Sequence, residues 1–263
     1  MLFDPGKPNI ARVYDALLGG KDSYAADREA AWRITQIEPG APVIARENRA
    51  FLGRAVRYLA GEAGIRQFLD IGSGLPAVDN VHEAAQSVAP DSRVVYVDND
   101  PVVLAHALAL LTSASLDGAC AYVDSDLRDT GTVIAEAART LDFSEPVAVL
   151  LFAIIHFIPD SDDPYGIVRR LMAAVPPGSY LVMSHASSGG MTGVQRKGLN
   201  EVYSGTVSGG VTQRSPQAIA GFFDGLELVS PGIAGISAWR PGAEGKPSSQ
   251  DRALFCGGAG RKR

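Results

Sequence analysis

Cysteine is nearly absent from the 263-residue chain: Cys120 and Cys256 are too few for a disulfide framework and too isolated for a zinc site. Both read as small buried apolar side chains, and no metal is expected. Long apolar runs are missing as well. The longest, Val147 to Ile155, has nine residues, against the ~20 that a membrane-spanning helix needs, so no membrane partner is expected. The first ten residues include Asp4, Pro5, Lys7 and Pro8 but no apolar h-region, which argues against a signal peptide and makes a cytoplasmic location the expectation. Dense positive charge is lacking too. The basic run Arg261-Lys262-Arg263 is too little to track phosphates, so nucleic acid is not an expected partner, and the run reads as a frayed end.

What remains is an ordinary globular balance, 46% apolar and 20% charged, which excludes disorder for the bulk of the chain. The length fits one α/β domain with additions, at roughly 150 residues per domain. Charge is uneven: residues 67–185 hold 16 acidic and 5 basic groups, whereas the whole chain nets only −5. Such a middle tolerates a cationic ligand better than a polyphosphate.

Three textures follow one another. Asn9 offers an N-cap ahead of Ile10, Val13, Leu17 and Leu18 at helical spacing, and Gly19-Gly20 ends that helix. Asp22 or Ser23 then caps a helix running to about Ile37, and a third runs from about Val43 to Ala63. Residues 1–64 therefore read as a helical N-terminal cap. From Gln67 onward short apolar runs alternate with helical stretches: Phe68–Ile71, Val94–Val97, Ala121–Val123, Val147–Phe152 and Tyr180–Met183. This predicts an α/β fold, a Rossmann-like doubly wound, mostly parallel sheet over residues 65–263. Between the first two strands, Val81, Ala84, Ala85 and Val88 mark one helix face. An insert around residues 187–212, opening on Ser187-Ser188-Gly189-Gly190 and holding a helix from Met191 to Tyr203, reads as a mobile lid. The runs Leu226–Val229 and Ala253–Phe255 read as an antiparallel pair closing the sheet.

The sharpest chemical signal is Asp70-Ile71-Gly72-Ser73-Gly74 at the end of the first strand. Glycines there let a ligand approach the backbone, and the next helix is expected to present its N-terminus to it. A dinucleotide site usually has a third glycine three residues later, where this chain has Ala77 after Pro76. A carboxylate at Asp70 repels pyrophosphate and suits an ammonium group. Asp98, in Tyr96-Val97-Asp98-Asn99-Asp100, ends the second strand 24 positions after Gly74, where an acid accepts ribose hydroxyls; Asp100 reads as a helix cap. After the third strand, Asp126 with the Leu127 backbone suits an adenine edge.

With these marks in register, residues 65–185 resemble the class I S-adenosylmethionine-dependent methyltransferases. Over nearly its whole length the chain resembles one bacterial subfamily of largely uncharacterised methyltransferases, through Ala11-Arg12-Val13-Tyr14-Asp15, Leu18-Gly19-Gly20-Lys21-Asp22, Asn48-Arg49-Ala50-Phe51, Tyr96-Val97-Asp98-Asn99-Asp100-Pro101 and His156-Phe157-Ile158-Pro159-Asp160. The resemblance implies a site for S-adenosylmethionine, yielding S-adenosylhomocysteine, at Asp70, Gly72, Ser73, Gly74, Asp98, Asn99, Asp126 and Leu127. Phe152 packs beside the donor in this expectation, and Tyr14 comes from the cap above it. The expected partner is a small-molecule methyl acceptor; the assembly state stays open.

Methyl transfer from a sulfonium needs chiefly an in-line nucleophile at about 3 to 3.5 Å, so a base is optional. His156, following the fourth strand at the ligand-binding edge, is the candidate for that role, with a wall residue bonded to Asp160 as the plainer reading. His185, ending the fifth strand, is the weaker candidate; His82 and His106 read as surface or packing residues. Two other functions fit parts of the pattern. A NAD(P)-dependent oxidoreductase shares the strand-two acid but leaves Asp70 unexplained, and a non-catalytic binding module would hold the donor or its product without turnover.

Overall fold

Five short runs of β-branched and apolar residues become the parallel half of one eight-stranded sheet in the computed structural model, which describes residues 4–77, 79–111, 118–241 and 254–263. The strands are β1 (Gln67–Ile71), β2 (Arg93–Asp98), β3 (Ala119–Asp124), β4 (Ala148–Phe152) and β5 (Tyr180–Ala186), followed by β6 (Leu226–Leu228), β7 (Ala234–Gly235) and β8 (Phe255–Lys262). Their order is β3-β2-β1-β4-β5-β8-β6, with β7 on the side of β8. The order reverses between β1 and β4, which places the switch-point crevice at the carboxyl ends of those strands.

Period-two alternation sorts the strand residues onto the two faces. Leu69, Ile71, Val149 and Leu151 meet α6 (Thr130–Ala137) and α7 (Pro164–Ala174) on one side. On the other side Phe68, Val94, Leu150 and Val182 meet α3 (Ala41–Gly61) and α4 (Val81–Gln86). The α3 side chains Phe51, Val56 and Leu59 are fully buried in that second layer. A third apolar cluster joins α1 (Ile10–Leu18), α2 (Ala25–Ile37) and α8 (Gly193–Ser204) through Val13, Ile34, Leu199 and Val202. The expected cap and the 187–212 insert are thus packed on one another. The remaining helices are α5 (Pro101–Leu111) and α9 (Pro216–Ala220). Among the described residues no helix is long and apolar enough to cross a membrane.

Several local expectations change. Tyr24, not Asp22 or Ser23, caps α2, because Asp27 in its first turn accepts the Tyr24 N–H at 2.9 Å. The helix after β1 starts only at Val81 and ends at Gln86, so Val88 is 44% exposed rather than on the buried face. Asp79, at φ +65°, lies between that helix and the glycine loop, so no helix N-terminus follows the loop directly.

The C-terminal expectation is corrected most. Leu226 pairs with Lys262 and Leu228 with Gly260, so the residues opposite β6 are the basic run itself and not Ala253–Phe255. Arg261 pairs with Tyr180 of β5, and the Lys262 ammonium donates to the Met172 and Val175 carbonyls at 2.8 and 2.7 Å. The run is the end of an antiparallel strand laid between two others, not a frayed tail; Ala253 lies outside the described residues. Glycine is required there by close approach: a Cβ on Gly257 would stand 2.6 Å from the Phe51 ring and 2.9 Å from the Met183 carbonyl oxygen.

Candidate active site

The loop after β1 is built from its backbone outward. The N–H groups of Gly72 and Ser73 donate to the Val97 carbonyl at 2.8 and 3.2 Å, tying the loop to the end of β2. Gly72 has φ +74°, and a Cβ on it would lie 2.5 Å from the Ile154 side chain, so this position excludes every other residue on two counts. Gly74, at φ +65°, faces open space, with nothing within 4 Å of where a Cβ would be.

Two carboxylates converge on that loop. Asp98 accepts the Gly74 N–H at 2.8 Å through one oxygen, and the Asn99 and Asp100 N–H groups at 2.9 and 3.1 Å through the other. Burial still pushes its carboxyl up to about 6, against those hydrogen bonds. Asp70 shares a strand face with Phe68 and so points toward α3. Burial raises it to about 7, with the Arg49 guanidinium of α3 opposing that rise and Asp98 adding to it. A ligand ammonium beside this buried carboxylate would favour its charged form. Beyond β3, Asp126 accepts the Arg128 backbone and guanidinium groups at 2.8 and 2.9 Å, and the Asn99 amide at 3.2 Å.

These groups line one side of a cavity of about 850 Å³, in which Asp70, Gly72, Ser73, Gly74, Asp98, Asn99, Asp126, Leu127, Phe152, Tyr14 and His156 all take part. The expected donor-site residues and His156 are therefore brought to a single space. The cavity continues beneath α1, α2 and α8. The Tyr14 hydroxyl donates to the Ala45 carbonyl at 2.9 Å and accepts from the Asn48 amide at 2.9 Å; burial pushes it up to about 12. Asn48 in turn accepts from Ser184 of β5 at 2.6 Å, and Ser184 accepts the Ala153 N–H at 2.9 Å. That chain fixes α1 and α3 to the sheet edge.

A second connection was not anticipated from the sequence. Arg12, 2% exposed, donates to Asp27 of α2 at 2.9 Å and to Asp100 at 3.0 Å. Asp100 caps α5 by accepting the Val102 N–H at 2.8 Å, and its own N–H donates to Asp98. An unbroken polar path thus runs from both cap helices to the acid that holds Gly74. The sequence signal was there, an arginine within an apolar helical pattern, but nothing in the periodicity says what it pairs with.

The histidines take distinct places. His156 is buried on the cavity wall, and its Nδ1 accepts the Ala186 N–H at 3.3 Å. Burial, His185 and Arg214 hold it well below the ordinary imidazole range, so it is neutral and its proton is on Nε2. The pairing with Asp160 that the sequence allowed is not made; Asp160 binds Arg214 at 3.2 Å instead. His185, fully buried in β5, spans the Ala186 carbonyl at 2.8 Å and Arg214 at 2.9 Å, and does not line the cavity. His82 bonds the Tyr96 hydroxyl at 2.7 Å, and His106 is near Asp22 on the surface; neither lines the large cavity.

A family model described as S-adenosyl methyltransferase matches residues 2–263. The chain belongs to that family. It is an S-adenosylmethionine-dependent methyltransferase, and the oxidoreductase alternative is not favoured. Among solved structures it is similar to a DUF574 family protein from Streptomyces avermitilis MA-4680, at 42% identity and TM-score 0.91 over 99% of each chain. A protein provisionally named a methyltransferase from Thermobifida fusca YX is 43% identical, with TM-score 0.90 over 98% of this chain and 96% of that one. The N-methyltransferase NodS from Bradyrhizobium japonicum WM9, solved with S-adenosylhomocysteine, shares only the fold, at 15% identity and TM-score 0.52 over 95% and 98% of the two chains. No curated protein sequence matches the chain.

Proposed function

We propose that the methyl donor of this enzyme is held between the Asp70–Gly74 loop and the Asp98 and Asp126 carboxylates, and that the acceptor is a small molecule entering the same cavity beneath α1, α2 and α8. Asp70 receives the donor's ammonium group, Asp98 a ribose hydroxyl, and Asp126 with the Leu127 backbone its adenine edge. Asp98 suits this because three of a carboxylate's roughly four acceptor positions are taken by backbone N–H groups that fix its orientation, leaving one for a hydroxyl. Gly74 leaves the space a ligand backbone approach requires. Bound there, S-adenosylmethionine supplies an activated methyl group on a sulfonium that departs as a neutral thioether.

The protein's own share of the catalysis is placement. A nucleophile has to come within about 3 to 3.5 Å of the methyl carbon, in line with the departing bond, and a dry pocket favours loss of the sulfonium charge. His156 contributes a hydrogen-bond donor, not a base, because its one basic nitrogen is spent on Ala186. The cap and the 187–212 insert close over both ligands.

The observation that carries this reading is the buried Asp70, its carboxyl pushed up to about 7, beside an open glycine loop in a cavity that extends beneath α1, α2 and α8. Calorimetry with S-adenosylhomocysteine tests the donor half: binding is expected for the wild type and at least about tenfold weakening for Asp98→Ala, from loss of a charged hydrogen bond worth about 1.5–3 kcal/mol. Incubation of labelled donor with a cell extract, followed by size separation, tests the acceptor half. Label in the low-mass fraction supports it, and label confined to protein or nucleic acid overturns it.

A further inference from the structure

The cavity's volume, about 850 Å³, lies near the top of the 300–1,000 Å³ that usually serves one drug-sized ligand. Its two sides differ in chemistry. The loop side is acidic, with Asp70, Asp98, Asp124 and Asp126. The cap side is walled by Val13 and Leu17 of α1, Ile34 of α2, Ile44 of α3, and Met191 and Leu199 around α8.

The charged groups on that cap side are either exposed or already hydrogen-bonded within the protein. Asp4 and Lys7 are exposed, Arg12 is held between Asp27 and Asp100, and Asp15 accepts the Asp22 N–H at 3.0 Å. Glu38 accepts the Gly40 N–H at 3.0 Å and the Gln195 amide at 3.2 Å. Besides the Gln213 amide, two proton-bearing groups on the wall lack hydrogen-bond partners among the described residues: the Tyr203 hydroxyl and His156 Nε2. Both carry protons at neutral pH, since burial and the neighbouring Tyr14 push Tyr203 up to about 12. They are joined by rings. His156 lies 4.3 Å from Phe157 and 5.5 Å from Phe255, and Phe157 lies 5.3 Å from Tyr203, centroid to centroid. All four side chains line the cavity.

From this geometry we infer that the cap side binds an uncharged, planar and largely apolar acceptor whose oxygen or nitrogen atoms receive hydrogen bonds from Tyr203 and His156. An apolar wall whose charged neighbours are exposed or engaged within the protein offers a buried ion little to offset its desolvation cost. Aromatic side chains clustered on a cavity wall suit a flat ring packed against them, with centroids 4.5–7 Å away. The inference rests on the loop side being the donor's, which leaves the cap side for the acceptor.

The test is a set of three naphthalene probes titrated into the full-length protein saturated with S-adenosylhomocysteine, near neutral pH: neutral 2-naphthol, anionic 2-naphthoate and cationic 2-naphthylmethylammonium. Expected is 2-naphthol binding at least about tenfold tighter than either ion, weakened severalfold by Tyr203→Phe through loss of one hydrogen bond. Met191→Glu, which puts a carboxylate on the wall at a partly exposed position, weakens it at least about tenfold, and both variants keep the wild-type affinity for S-adenosylhomocysteine. Equal or tighter binding of an ion overturns the inference. So does absence of 2-naphthol binding with product binding intact, the result a macromolecular acceptor would give, and so does indifference of 2-naphthol to both substitutions. Failure of wild-type protein to bind S-adenosylhomocysteine at all would strike the donor assignment itself, and the two failures are read separately.

Discussion

Asp70 illustrates what a single residue contributes and what it costs. Its carboxyl is raised to about 7 in the folded protein, against about 3.9 when unfolded, so between those values the folded state holds the proton more firmly. Folding is therefore progressively disfavoured as pH rises through that window, and the whole penalty is present above 7. Asp70→Asn removes the titration. In thermal melts without ligand, the variant is expected to gain on the wild type from pH 5 to pH 8; a constant difference would show that Asp70 is not the group concerned. For the donor the sign is opposite. If ionised Asp70 pairs with its ammonium as proposed, affinity for S-adenosylhomocysteine should rise through about pH 7 in the wild type and stay flat, at least about tenfold weaker at pH 8, in Asp70→Asn. Gly72→Val should cost stability outright, by about 1–3 kcal/mol for the left-handed backbone alone and more for the Ile154 contact, as measured by urea unfolding. These loop residues were legible in the sequence because strand ends, glycines and acids recur at fixed places in open α/β sheets. The tautomer of His156 was not legible, since the Ala186 N–H that sets it lies thirty residues away and meets it only across the sheet edge.

At the scale of elements, the cap helices α1 and α2 are tied by charge and hydrogen bonds to the glycine loop after β1. Arg12 joins α1 to α2 and to the α5 cap at Asp100, whose N–H in turn supports Asp98. Removing one partner of a buried ion network leaves uncompensated charge, at a cost of about 3–5 kcal/mol. Arg12→Met should therefore lower stability in urea titrations by that order and also weaken S-adenosylhomocysteine binding in calorimetry. A variant that is less stable yet binds normally would confine Arg12 to folding. Deleting residues 1–24 removes α1, with Tyr14 and the Arg12 path, and donor binding or turnover should be lost; a truncated protein that behaves as the full chain would refute closure by the cap. The three N-terminal helices could be read from spacing and glycine breaks. Their partnership with α8 could not, because the contacts between Ile34 and Leu199 join segments of equal apolarity and no pattern names the match.

For the molecule as a whole, donor and fold are thermodynamically linked: a ligand at 100 times its Kd adds about 2.7 kcal/mol of stability. S-adenosylhomocysteine at that excess should raise the midpoint of thermal unfolding by roughly 5–10 °C, and NAD(P) should leave it unchanged. The parallel strands were recoverable because each is a short apolar run between helical patterns. The antiparallel β8 was not, since Gly257, Gly258 and Gly260 followed by two basic residues carry the composition of a loop or tail. Side chains are excluded there by close neighbours that the sequence does not name, Phe51 and the Met183 carbonyl at Gly257, Ile233 at Gly258 and Phe223 at Gly260.

The position of that strand also dictates a timetable. Among the described residues β6 joins the sheet only through β8, and the outer edge of β5 has no neighbour but β8. During synthesis at about 5–20 residues per second, roughly 4–15 s pass between the emergence of β5 and that of β8. Throughout that interval a fully buried strand of the finished enzyme stands with its hydrogen-bonding edge bare, the state in which nascent sheets most readily pair with one another.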